Sequence, residues 1–232
     1  MSTQNKPLPL VIMGTGPNAR ETRSIVNAIN KAGDCDVFDF VGFVLEPGQS
    51  GSAVQGMPIA CDDDSFKAFA KKYIRLGVAI PAANPAVKKK IYDKLKALTN
   101  LEFPGIIHPR ANILEPETVK MGKGCIITAG VFVSISVEMG DFVYFNYNCS
   151  IGHDTVIGDF CTVNPQAAVG GDIRIQDRCL IGADSAIKQG CTIGEDAVIG
   201  LGAFVVHSVQ AGAVMVCRPA EPLLRRDEEA SR

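Results

Sequence analysis

The chain has 232 residues, enough for one large domain or two small ones and for a sizeable buried core. Hydrophobic residues make up 47%, charged residues 21% and aromatics 6%, with no Trp, which excludes a disordered chain and requires an aliphatic core. Lys and Arg number 23 against 25 Asp and Glu, a formal charge of −2 that provides no cationic field for a nucleic-acid backbone.

Residues 8–13, Leu-Pro-Leu-Val-Ile-Met, predict a buried strand. The run is too short to span a bilayer and leads into Gly14-Thr15-Gly16-Pro17 without a small-residue cleavage site, so a cytoplasmic protein with no membrane partner is expected. Asn18 to Ala32 carries apolar residues at helical spacing. Gly14-Thr15-Gly16-Pro17-Asn18-Ala19 is then a G-x-G-x-x-A turn between strand and helix, where backbone N–H groups can approach a phosphate.

A second strand is expected at 39–45, a helix at 65–72, a third strand at 76–80 and a helix at 85–98, with 102–107 leading onward. This βαβαβα series predicts a small parallel sheet, a Rossmann-like half-domain over residues 1–106. No acidic residue stands about 20 residues beyond the glycines at a strand end, so a nucleotide carried by a substrate is expected rather than a redox dinucleotide. Lys88, Lys89, Lys90, Lys94 and Lys96 read as a solvated helix face rather than a phosphate clamp.

From Met121 the chain falls into hexads. Their first residues, at positions 121, 127, 133 and onward to 205, are fifteen consecutive apolar residues. The fifth residue of each hexad is small or β-branched, and the second is often Gly. Neither a 3.6-residue nor a 2-residue period gives this pattern; short strands joined by tight turns do, three to a triangular coil with the first residues stacked inward. Fifteen hexads make five coils, about 24 Å tall at a strand spacing of about 4.8 Å. Ile107, Ile113 and Val119 suggest one irregular coil before a two-residue shift. Five of the eight cysteines occupy the small fifth position and no C-x-x-C pair occurs, so they read as reduced packing residues, with no metal.

The hexads resemble those of the hexapeptide-repeat acyltransferases, which implies a left-handed parallel β-helix over residues 107–222 and a homotrimer. Together with the small sheet, the chain resembles the sialic-acid O-acetyltransferase family, which includes the bacterial nucleotide-sugar N-acetyltransferases of the bacillosamine and perosamine pathways. The marks are Gly14 to Arg20, Val41-Gly42-Phe43, Phe103-Pro104, Ile107-His108-Pro109, Asn146, and the run Ile151-Gly152-His153-Asp154-Thr155-Val156-Ile157-Gly158-Asp159-Phe160. The chain departs from the family at Pro17-Asn18, at Leu45-Glu46 in place of Asp-Asp, at Thr162 in place of a histidine, and at Cys217-Arg218 in place of Gly-Asn.

Of three histidines, His108 and His207 read as structural, whereas His153 stands at the third position of its hexad, which projects from the coil, with Asp154 beside it. Imidazole is suited to taking an amine proton near neutral pH, and a carboxylate can fix its tautomer. The resemblance implies that His153 is the general base, that Gly171 of Gly170-Gly171 is an oxyanion donor, and that Gly171, Ala183, Leu201 and Gly202 line the acetyl-CoA groove. It implies a nucleotide-linked amino sugar bound by Gly14, Gly16, Asn18, Glu46, Asn146 and Thr162. The expected activity is N-acetylation of a 4-amino-4,6-dideoxy sugar by direct attack. O-acetylation of a sugar or of sialic acid, a non-catalytic scaffold and a zinc carbonic anhydrase are the alternatives; the last needs three converging histidines, which separations of 45 and 54 residues do not suit. The charged end, 223–232, is expected to be a disordered tail.

Overall fold

A computed structural model describes residues 6–219; the expected tail lies outside them. The first elements are β1 (Leu8–Met13), α1 (Pro17–Ala32), β2 (Phe38–Leu45), β3 (Ala53–Val54), β4 (Met57–Asp62), α2 (Phe66–Ala70), β5 (Leu76–Ala79), α3 (Pro85–Leu95) and β6 (Leu101–Glu102). They form one sheet in the order β3-β4-β2-β1-β5-β6, parallel except for the β3–β4 pair. The expected strands and helices are present, with α2 and α3 shorter than their apolar patterns. The β3–β4 hairpin was not anticipated: β4 acquires strand geometry by pairing with β2 rather than from any alternation of its own. Gly42 marks a register shift in β2, where an added Cβ would sit 2.7 Å from the Ala60 amide nitrogen.

From Ile106 onward the chain winds into a parallel β-helix of two-residue strands. Each strand pairs with the strand 18 residues on, as Ile126 does with Tyr144 and Thr162 with Leu180. The three faces carry seven, six and five strands. The hexad-leading residues end these strands and point inward, and all but the half-exposed Met121 are buried. Small fifth-position residues, among them Cys125, Cys149, Thr155, Cys161, Ala167 and Cys179, fill the corners at 0% exposure. Burial pushes the Cys125 and Cys149 thiols up to about 11 and about 12, so they pack as neutral groups. The two-residue shift is taken up by a 3₁₀ turn at Pro116–Thr118.

The fourth residue of the hexad is the turn residue. From Gly124 to Gly202 every such position has positive φ, whether Gly, Asp, Asn, Gln, Ser, Arg or Phe. Phe142 (φ 56°) and Phe160 (φ 61°) are costly there, and their rings stack at 5.3 Å against Tyr92 of α3.

The three faces differ in what covers them. The outward residues of the first face include Ile106, Ile126 and Tyr144, buried beneath Leu10, Ile12 and Phe43 of the sheet and Ile25 of α1. Phe142 and Phe160 join the layer on the other side of the sheet, with Phe66, Ile80 and Leu95. The third face presents Lys120, Glu138 and Arg174 to solvent. The second face presents Phe132, Ser150, Ala168, Ala186 and Phe204, a small and apolar column with no covering element.

Candidate functional site

His153 occupies the corner between the strand Ser150–Ile151 on the second face and Val156–Ile157 on the third. Asp154 is its turn residue, and the left-handed φ of 57° brings the carboxylate back onto the imidazole. Nδ1 of His153 and Oδ2 of Asp154 are 2.8 Å apart. Both side chains are accessible, at 48% and 59%. Gly171 lies one coil on, 18 residues along the chain, directly over the ring: a Cβ added there would be 2.5 Å from Nε2. The Asp172 amide donates to the His153 carbonyl at 2.7 Å, which ties the two corners together. Among the described residues the Gly171 N–H donates to no backbone carbonyl. His153, Asp154 and Gly171 therefore converge, with Nε2 free and a backbone amide beside it.

Ala183, Leu201 and Gly202 line the opposite border of the same face. They stand at corners preceding Ala186–Ile187 and Phe204–Val205, one and two coils beyond Gly171. Gly202 donates to the Ala183 carbonyl at 2.9 Å and has no heavy atom within 4 Å of an added Cβ, so the backbone is open there. Asn146 begins the His153 coil at that border. It is 8% exposed, and its Oδ1 accepts the Tyr147 amide at 2.9 Å. Burial and a hydrogen bond with the Glu21 carboxylate of α1 hold the Tyr147 phenol well above its ordinary range, so α1 reaches this corner.

The other residues predicted to bind substrate meet elsewhere. Gly14, Gly16, Asn18 and Glu46 line a cavity of about 430 Å³ at the carboxyl ends of β1 and β2, closed by Pro81, Ala82 and the α3 residues Val87, Lys90, Ile91 and Lys94. This is the crevice where the connections from β1 diverge to either side, the usual ligand site of an open parallel sheet. Gly14 has φ 83°, and a Cβ there would be 2.9 Å from Glu46 Oε1.

Two expectations are corrected. Thr162 is fully buried on the first face and its hydroxyl accepts from Lys88 Nζ at 3.1 Å, so no substrate reaches it. The lysines of α3 are not one solvated face. Lys88 is 1% exposed and also donates to the Cys161 carbonyl at 3.0 Å, and burial pulls its amine down to about 7. Lys90 and Lys94 line the cavity. The remaining histidines lie apart: His108 Nδ1 accepts the Arg110 amide at 2.9 Å, burial and the Arg110 charge keeping its pKa below the usual value, and His207 is exposed. Among the described residues no group of three or more His, Cys, Asp or Glu is placed to hold a metal, and no helix is long and apolar enough to cross a membrane.

A family model for the hexapeptide repeat of succinyl-transferase matches residues 172–206. No curated protein sequence matches the chain. Among solved structures, the acetyltransferase domain of PglB from Neisseria gonorrhoeae is similar over 93% of this chain and 99% of its own, at 22% identity and a TM-score of 0.78. PerB from Caulobacter crescentus, in complex with CoA and GDP-perosamine, is similar over 89% of this chain and 92% of its own, at 22% identity and TM-score 0.76. WeeI from Acinetobacter baumannii is similar over 93% of this chain and all of its own, at 27% identity and TM-score 0.77. The chain has the fold of these proteins. It is an α/β half-domain joined to a left-handed hexapeptide β-helix. Within this fold, the sheet cavity and the His153 corner are separate places on one surface, the first built by β1, β2 and α3, the second by successive coils.

Proposed function

We propose that this chain is an acetyl-CoA-dependent N-acetyltransferase acting on a nucleotide-linked amino sugar, with a 4-amino-4,6-dideoxy sugar as acceptor. The observation that carries the reading is the His153 imidazole, held at Nδ1 by Asp154 with Nε2 against Gly171. The fold likeness supports it, since the PglB domain has been solved with acetyl coenzyme A and PerB with CoA and GDP-perosamine.

Acetyl-CoA supplies an activated acetyl thioester. The acceptor amine must lose a proton as its nitrogen bonds to the acetyl carbon. His153 Nε2 takes that proton, and the Asp154 carboxylate stabilises the resulting imidazolium. The Gly171 N–H donates to the carbonyl oxygen as it gains negative charge. The C–S bond then breaks, and the proton held on His153 neutralises the departing sulfur. No acyl-enzyme is required. Small side chains and open backbone at Ala183, Leu201 and Gly202 suit an extended ligand lying along the border of the second face. The cavity at Gly14, Gly16, Asn18 and Glu46 suits the nucleotide.

The acceptor site is completed in a homotrimer. With the first face covered by the sheet and the third face charged, the uncovered second face is the one that fits another copy, and His153 lies at its edge. The test is thiol release from acetyl-CoA with UDP-, dTDP- and GDP-linked 4-amino sugars. Turnover with one of them is expected. Reaction only with a sugar hydroxyl would replace N- by O-acetylation, and failure of CoA to bind would remove the enzyme reading.

A further inference from the structure

The cavity of the sheet unit carries four charged side chains: Glu46, Asp63, Lys90 and Lys94. Lys94 Nζ is bound to Asp63 Oδ2 at 2.8 Å, so those charges cancel. Elsewhere on α3, Lys89 and Lys96 are both paired with Asp93, and Lys88 is buried against the β-helix. Among the described residues Lys90 has no ion pair and no side-chain hydrogen bond, and it is the free cation of the cavity wall.

The glycine turn alone is a poor anion site. Pro17 opens α1 and contributes no N–H, and the Glu46 carboxylate rests against Gly14. A phosphate group placed over Gly14 would meet that carboxylate in a partly enclosed space, where like charges repel strongly. The cavity is thus polarised, anionic at the β1–β2 end and cationic at α3.

Resting on the nucleotide reading above, we propose that Lys90 binds the diphosphate of the nucleotide, while Glu46 accepts hydrogen bonds from its ribose or base. The ammonium of Lys90 is the one mobile charge available to offset the diphosphate, on a long side chain that adjusts to it. The hydroxyls and N–H groups of a nucleoside are neutral donors that a carboxylate accepts without penalty. The orientation that follows places the sugar beyond the phosphates on the α3 side of the cavity.

Calorimetric titration of the full chain tests this, using UDP, dTDP and GDP and the matching nucleosides as competitors. For the diphosphate that binds, Lys90→Gln is expected to weaken affinity about tenfold, and to flatten its dependence on salt. Lys90→Arg should restore most of the affinity. Lys89→Gln, which breaks only an exposed pair with Asp93, should leave it unchanged, as should every variant the affinity for CoA. Equal affinity of wild type and Lys90→Gln, or equal weakening of nucleoside and diphosphate, overturns the assignment while leaving the nucleotide reading in place. Absence of binding of all three diphosphates to the wild type overturns the nucleotide reading and this assignment with it.

Discussion

Lys88 of α3 donates to the hydroxyl of Thr162 at 3.1 Å across the seam between the sheet unit and the β-helix, and neither side chain meets solvent. A neutral amine has two N–H groups, and here they serve the Thr162 hydroxyl and the Cys161 carbonyl. The residue therefore joins the two parts of the molecule at the cost of its charge.

Stability should respond to pH through this amine. Its folded pKa, pulled down to about 7 by burial, lies below the unfolded value of about 10.4. Below the folded value both states are protonated and the cost of a buried ammonium is fully present. Between the two values the unfolded chain holds a proton that the folded chain lacks, so stability rises with pH, by about 1.4 kcal/mol per unit. Urea titrations from about pH 7 to about pH 10 should show wild type gaining on Lys88→Met. Parallel curves for the two proteins would show that the amine is not desolvated.

The His153 corner gives a kinetic expectation. His153→Ala should lower kcat by about a hundredfold or more while the KM values of both substrates change little, because the proton transfer is needed only in the transition state. Asp154→Asn keeps the turn and the hydrogen bond but removes the charge, and should cost about tenfold. Steady-state rates by thiol release measure both. Unchanged kcat in His153→Ala would remove the base from its role.

Much of this was legible because the β-helix has one environment per hexad position. An inward first residue cannot be polar in any coil, so fifteen positions repeat one constraint and the periodicity survives in a single sequence. The left-handed turn at the fourth position was less visible: Phe142, Phe160 and Arg178 occupy it along with Gly, Asp and Asn. The β3–β4 hairpin and Lys88 were not legible at all. Each owes its state to a surface contributed by distant chain, β2 for the hairpin and the first face of the coil for the lysine. Glu46 stands about 30 residues beyond the glycines, outside the familiar spacing, and only the sheet brings it to Gly14.

Two glycines one coil apart should respond differently to a methyl group. At Gly171 an added Cβ meets the His153 ring, which can rotate out of the way and leave Asp154. At Gly152 it meets the backbone of Gly170 and Gly171 at 2.5 Å, which cannot move without opening the coil. Gly171→Ala should therefore lose activity with nearly unchanged thermal stability, and Gly152→Ala should lose both. Thermal melts alongside kcat separate them; a strongly destabilised Gly171→Ala would mean that the ring is fixed by more than Asp154.

The second face makes the last prediction. Phe204 is 78% exposed and Phe132 37% exposed in the single chain, at either end of a column otherwise made of Ser150, Ala168 and Ala186. Residues of that size close against a flat partner, and each buried Phe contributes about 1.5–3 kcal/mol. Light scattering should give three chains for the wild type and one for Phe132→Glu/Phe204→Glu, with the circular dichroism of the two alike. Neither substitution touches His153, Asp154 or Gly171, so loss of turnover in the monomeric variant would mean that the neighbouring copy completes the acceptor site. A wild-type monomer with full activity would place the whole site on one chain and leave the apolar column for another partner.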